Sequence, residues 1–335
     1  MYSYWDLSFN NYNYSYVEIA VVQGYSTLAI DRFGIGNSSH EDPLNVVQAQ
    51  AEIEAMNAIT TKLRHGTIDG IAHKFSKVVH VGHSFGSVQS YWLSALYPNN
   101  TDGIVLTGWS GNGTFLPTTV AAWNLHNARL NQPLRFGNAS NVGILRSFGS
   151  MGSIIAQGVQ SALKAVGVQL SSQDVYDDIA TTEVADLITG WNQTVTSLNY
   201  PSGYTTHSDF TANQFVFLQY GRYDPALGLL TEATKQPVTV GEILTIGNAP
   251  TKTLFSGPVL VITGEHDQPF CGGDCYATGG VAPNIPAVAA PQFPNASPFE
   301  TYIQPETAHG INAHYNSTGA YKVVQSFLGA HGLAA

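Results

Sequence analysis

The chain is poor in charge. Only 11% of its 335 residues are Asp, Glu, Lys or Arg, against about 25% in an average soluble protein. Cations are the scarcer sign: 13 Lys and Arg face 23 Asp and Glu, a net charge of −10. That balance excludes nucleic acid as the main partner, because phosphate binding needs a clustered excess of Lys and Arg. No apolar run approaches the ~18 residues of a transmembrane segment; Val259-Leu260-Val261-Ile262 is strand-sized. Met1-Tyr2-Ser3-Tyr4-Trp5-Asp6 has neither the basic n-region nor the apolar h-region of a secretory signal. Internal repeats and low-complexity tracts are missing.

Cysteine is nearly missing as well. The two present, Cys271 and Cys275, stand in Cys-Gly-Gly-Asp-Cys, where two glycines let the pair close a small disulfide loop suited to an oxidising compartment. A metal site is the alternative, with His266, Asp267 and Asp274 nearby. One CxxxC lacks the second ligand pair of structural zinc sites, so the disulfide is preferred and no metal is assigned.

What the chain has is apolar material: 44% hydrophobic and 11% aromatic residues, enough for a buried core and against disorder. With few charges, the surface must be wetted by Asn, Gln, Ser and Thr, or by sugar. Asn-x-Ser/Thr sequons begin at Asn13, Asn37, Asn99, Asn112, Asn138, Asn192, Asn295 and Asn316. Asn37 follows an expected strand end and Asn295-Ala296-Ser297 runs into Pro298, which makes both poor glycan acceptors. The spread still favours a secreted, glycosylated protein.

Val17 to Val22 reads as a helix end closed by Gly24, and Ser26-Thr27-Leu28-Ala29-Ile30 as a buried strand entering the glycine-rich turn Asp31 to Ser38. Val46, Ala49, Ile53, Met56, Ile59 and Leu63 recur at three- and four-residue steps, a long amphipathic helix begun by Asp42-Pro43. Lys77 to Val81 and Gly103 to Thr107 are strands, with Phe85, Val88, Trp92 and Leu96 at helical spacing between them. This alternation predicts βαβ units and a parallel sheet. From 111 to 248 strand-like runs become rare, and helical patterns cover Leu145 to Val166, Ser172 to Trp191 and Thr211 to Tyr220. Strands resume at Pro258 to Thr263 and Glu300 to Gln304, before a last helix at Tyr321 to Leu328.

Gly82-His83-Ser84-Phe85-Gly86 lies between a strand and a helix, the context a Gly-x-Ser-x-Gly nucleophile elbow requires. The sharp turn exposes the Ser84 hydroxyl and asks for tiny residues two before and two after it. It also leaves the Phe85 backbone N–H at a helix N-terminus, where it can hold an oxyanion. A serine needs a base, and the base an orienting carboxylate. Asp267, in Gly264-Glu265-His266-Asp267 after a strand, and His309, in Ala308-His309-Gly310 before the last helix, supply them in the chain order acid then histidine. Glu265 lies nearer the strand end and His314 nearer the final helix, so both rank below. His83 points into structure, and His73, His80 and His266 are surface or packing residues. Gly108-Trp109-Ser110-Gly111-Asn112 offers no rival acid.

These motifs resemble the α/β-hydrolase superfamily, in its serine esterase- and lipase-like branch with an inserted helical cap. They are Asp31-Arg32-x-Gly34-x-Gly36-x-Ser38, Gly82-x-Ser84-x-Gly86, Gly264-x-x-Asp267 and His309-Gly310. The cysteine loop and sequons are similar to secreted fungal members. The resemblance implies an α/β fold, a mostly parallel sheet with helices on both faces. Core would occupy 1–110 and 251–335, and the cap 111–250. It also implies ester cleavage of a small-molecule acyl substrate through an acyl-enzyme on Ser84, with no cofactor. Trp109, Trp123, Phe215 and Tyr223 are candidates for an apolar acyl pocket, with simple core packing the commoner role of such aromatics. The family's first three strands, with the loop that carries a second oxyanion donor, have no counterpart here. The resemblance therefore predicts an N-terminally shortened chain in which the Ser26 and Lys77 strands are separated by an unfilled position. The same constellation also serves acyl transfer or lyase chemistry, and without that loop a non-catalytic binding protein is a further alternative. The sequence carries no sign of oligomeric state.

Overall fold

The computed structural model describes residues 2–137 and 200–334. The expected helices at Leu145 to Val166 and Ser172 to Trp191, and the sequons at Asn138 and Asn192, lie outside the described residues. The chain divides into two compact units, Met1–His126 with Gly203–Ala335, and Asn127–Ser202. In the second, the Phe136 and Tyr200 rings meet edge to face at 5.0 Å, and the Tyr200 N–H donates to the Phe136 carbonyl.

The first unit is built on a four-stranded sheet: β1 (Val79–His83), β2 (Gly103–Thr107), and further along β5 (Val259–His266) and β6 (Phe299–Ala308). The spatial order is β1-β2-β5-β6 and every pair is parallel. Two short strands, β3 (Tyr204–Thr206) and β4 (Val238–Thr239), form a separate antiparallel pair. All five residues of β2 are buried, as expected of a continuous apolar run with a strand on either side and helices above and below.

The two-residue period of the strands sorts the core into layers. Val105, Leu260 and Ile262 face one side, against α1 (Tyr2–Trp5), α2 (Tyr16–Val22) and, at the C-terminus, α8 (Ser317–Ala330), through Trp5, Tyr16, Ala20, Tyr321, Val324 and Phe327. Ile104, Leu106, Val259 and Val261 face the other, against Val88 and Tyr91 of α4 (Phe85–Leu96) with Trp109 and Phe293. Behind α4, α3 (Ala49–His65) packs Ala49 and Ile53 on Trp92 and Leu93. Each such fully buried aliphatic side chain is worth roughly 1.5–3 kcal/mol of transfer free energy. Among the described residues, no helix is long and apolar enough to cross a membrane.

Four expectations need correction. Ser26 to Ile30 is not a strand: it runs without a ladder, with Leu28 47% and Ile30 37% exposed. An apolar run becomes a strand only when another strand takes its backbone bonds. Among the described residues β1 is an edge strand, paired to β2 alone. Asn37 therefore follows no strand end, and it is exposed.

The long helix also begins later than Asp42-Pro43. Asp42 caps a turn of its own, accepting from Leu44 N–H at 2.8 Å and Asn45 N–H at 2.9 Å. Gln48 is extended, α3 starts at Ala49, and Val46 stays 46% exposed. At the other end Gly66, with φ 66°, stops the helix in the left-handed conformation glycine tolerates. Finally, the strands at Pro258 and Glu300 run on to His266 and Ala308, so both loops expected to carry chemistry begin at strand ends.

Candidate active site

β1 delivers Ser84. The residue stands between His83, the end of β1, and Phe85, the start of α4, with φ 54° and ψ −116°. That left-handed φ is strained for a side-chain-bearing residue, at a cost of about 1–3 kcal/mol. The surroundings hold it: Ser84 N–H donates to the Thr107 carbonyl of β2 at 2.9 Å, and Ser87 Oγ donates to the same oxygen at 2.7 Å. A side chain at Gly82 would collide with the Gly86 carbonyl, which explains that glycine. At Gly86, by contrast, a Cβ would meet nothing within 4 Å, so the elbow's second small residue matters for its close-lying backbone. The Phe85 amide is the first of α4, one of the N–H groups a helix leaves without an intrahelical acceptor.

β5 and β6 deliver the other two. Asp267 follows the last residue of β5 and caps α7 (Gln268–Cys271). Its Oδ1 accepts from Phe270 N–H at 2.9 Å, and its Oδ2 accepts from Thr263 Oγ at 2.6 Å and from His309 Nδ1–H at 2.7 Å. His309 directly follows β6. With its Nδ1 proton given to the carboxylate, Nε2 is the acceptor, and Ser84 Oγ donates to it at 2.8 Å. Asp267 and His309 are both fully buried. The structure thus joins Ser84, His309 and Asp267, named from sequence, in one hydrogen-bonded line.

The His309 ring is walled by other rings: His83 at 4.9 Å, Phe217 at the end of α5 (Phe210–Phe217) at 5.4 Å and Phe270 at 5.8 Å between centroids. Gly108, with φ 54°, lets β2 turn past them, since a Cβ there would lie 3.0 Å from His309 Cε1. His83 donates Nδ1–H to Thr107 Oγ at 3.0 Å, the hydroxyl proton of Thr107 being given to the Gly82 carbonyl. Burial, and then the neighbouring His309, hold His83 far below the ordinary histidine pKa, so it stays neutral. Tyr4 of α1 stacks on it at 4.4 Å, and burial raises the Tyr4 phenol well above its usual value.

Thr263, Phe270, Phe217 and Tyr4 were not singled out in the sequence. Thr263 and Phe270 could have been, by counting from Asp267 to the strand behind and the helix turn ahead; Phe217 and Tyr4 are distant in sequence from all three residues and carry no local signal. The candidate acyl-pocket aromatics divide. Trp109 is a core residue, 4% exposed and packed with Tyr91 and Phe293. Phe215 is 50% exposed, and Trp123 stacks on Phe217 at 6.0 Å. Glu265 accepts from Glu306 N–H at 2.9 Å, and the His309 Nδ1 bond goes to Asp267 instead. Cys271 and Cys275 form a disulfide, both buried, and the Cys275 N–H donates to the Glu265 carbonyl.

No family model matches this sequence, and no curated protein does. Solved structures do. Tomato methylketone synthase I complexed with 2-tridecanone aligns with a TM-score of 0.51 at 10% identity, over 94% of this chain and 92% of that one. A mutant of the same protein aligns at 0.50 with the same identity and coverage. The methylesterase MES16 from Arabidopsis aligns at 0.49 and 9% identity, again over 94% and 92%. At such identity the likeness to the tomato protein establishes a shared fold.

Proposed function

We propose that this chain, which has the α/β-hydrolase fold, is a serine hydrolase that cleaves a carboxylic ester through an acyl-enzyme. The observation that carries the reading is the unbroken line from Ser84 Oγ through His309 to Asp267, with links of 2.8 and 2.7 Å.

Ser84 Oγ forms a bond to the ester carbonyl carbon while His309 Nε2 takes its proton. The C=O electron pair moves to oxygen, and the Phe85 N–H at the start of α4 donates to that oxyanion. The C–O bond to the alcohol then breaks, and Nε2 returns the proton to the departing oxygen. Water adds to the acyl-enzyme by the same route: Nε2 takes its proton, the acid is released, and Ser84 Oγ regains a hydrogen. Asp267 keeps the Nδ1–H tautomer and stabilises the imidazolium formed in each half. Nucleophile, base and anion donor all belong to the chain, so the scheme calls on no cofactor. Phe217 and Phe270 beside His309 favour an apolar acyl or alcohol group, since polar substrate would be left without partners there.

We also place the protein in an oxidising, secretory compartment. The buried disulfide and the exposed side chains of Asn13, Asn99 and Asn316 favour it. Mass increments on those three asparagines in protein from its native source are the check.

Turnover of p-nitrophenyl esters of graded acyl length tests the function. Wild-type protein is expected to release p-nitrophenol with a chain-length optimum, and Ser84→Ala to lose roughly 10³-fold or more. Equal rates for the two proteins refute the assignment.

A further inference from the structure

His314 is buried, 1% exposed, in the turn between His309 and α8, and the reaction above leaves it without a task. Its hydrogen bonds all go to backbone, and three of them converge on one ring. Nδ1–H donates to the Gly310 carbonyl at 2.9 Å. Nε2 therefore carries the free lone pair, and it accepts from Ala308 N–H at 3.2 Å and from Gln219 N–H at 2.9 Å. Ala308 and Gly310 are the residues on either side of His309.

We infer that His314 is the positioning residue for His309: one imidazole clamps the backbone before and after it and ties both to the segment carrying Phe217. The inference rests on the hydrolase reading and extends it. The third bond makes the clamp more than a local turn. Gln219 lies two residues past Phe217, whose ring sits against the His309 imidazole. A second tie runs alongside, the Gly310 N–H donating to the Phe217 carbonyl at 2.8 Å. The approach there is close enough that a Cβ on Gly310 would lie 2.8 Å from that oxygen. His309 is thus fixed from its side chain by Asp267 and from its backbone by His314. Two amide donors converging on Nε2 need a neutral ring, and burial provides it, pushing His314 down to about 4. A charged ring would aim a third N–H at two others.

The clamp acts through geometry, so its loss appears in the chemical step. A displacement of about 1 Å at a reacting group is worth on the order of 10²-fold in rate. In His314→Phe, which keeps the bulk and removes all three bonds, kcat and the rate constant for fluorophosphonate labelling of Ser84 are expected to fall about 10²-fold, with KM within about threefold. The end point of labelling stays at one per chain, which a merely misfolded fraction would lower. His314→Gln, whose amide offers one donor and one acceptor, is expected to recover most of the labelling rate. Where the Phe protein does not accumulate, His314→Leu takes its place, and a Gln variant as slow as the apolar one overturns backbone bonding as what His314 supplies. A Phe variant that labels as fast as wild type overturns the role of His314 alone. Wild-type protein that never labels overturns the hydrolase reading, and with it any positioning role.

Discussion

The first compact unit buries carboxylates against a positively charged or chargeable partner in two places, and they do different work. Asp267 meets His309 and accepts three hydrogen bonds, and the line continues to the strained Ser84. Glu52 and Glu242 meet Arg32: the guanidinium bonds Glu242, reaches Glu52 at 3.6 Å, and lies 5.4 Å over the Phe85 ring. Here the bonds end in scaffold. Glu242 accepts from Thr239 N–H at 2.6 Å as the capping box of α6 (Val240–Thr245), and Gln89 of α4 donates to Glu52 at 2.5 Å. Burial marks both places equally, with Glu52 2%, Glu242 1% and Asp267 0% exposed. What separates them is where the chain of bonds stops, at the Ser84 hydroxyl in one and at Gln89 within α4 and the cap of α6 in the other. The Arg32 group braces the elbow through Phe85; the Asp267 group is the one that the proposed reaction uses.

Single substitutions break that contrast if it is wrong. Asp267→Asn is expected to lower kcat on the order of 10⁴-fold by reversing the tautomer preference of His309, as measured by ester turnover. Arg32→Ala leaves two buried carboxyls without their cation and is expected to cost roughly 3–5 kcal/mol in urea unfolding, with turnover per labelled Ser84 unchanged. A stability loss at Asp267 with full activity, or the reverse at Arg32, would exchange the two assignments.

The titrations sharpen the contrast further. Burial and the neighbouring Glu242 raise Glu52 to about 9 despite Arg32. The folded chain then holds a proton that the unfolded chain releases above about 4.5, so this group makes stability decline as pH rises from about 4.5 to about 9. Glu52→Gln is expected to flatten that decline in the urea midpoint. His80 and His314 act in the opposite sense. Each is pushed to about 4 by desolvation, the half-buried His80 between the hydroxyls of Thr60 at 2.9 Å and Thr101 at 2.8 Å. Their contribution is whole above about 6.5 and lost as pH falls towards about 4, so Tm is expected to drop across that window. The smallest effect belongs to the exposed pair Arg222–Glu306, where Arg222→Ala should change unfolding free energy by less than ~1 kcal/mol.

The parts of this protein legible in its sequence are those where one local rule decides. Gly82 to Gly86 compresses strand end, strained turn and helix start into five residues, and β2 admits no reading but a covered strand. Chain order then located Asp267 and His309. Ser26 to Ile30 misled because its composition suits a strand while the hydrogen-bonding neighbour a strand needs is a tertiary matter. The Asp42-Pro43 start signal was used by a turn instead of a helix, a choice made by the Asp42 carboxylate within three residues. Phe217 against His309, and His314 behind it, depend on two distant segments meeting, and His314 looked like a rival base because its backbone partners leave no trace in sequence.

The most direct measurement is the fate of Ser84 in the first turnover. Rapid mixing with a p-nitrophenyl ester, acid quenching and peptide mass analysis should give a burst of about one p-nitrophenolate per chain and an acyl group on the Ser84 peptide. Ester turnover without any adduct on that peptide, or with the acyl group on another residue, would contradict the account.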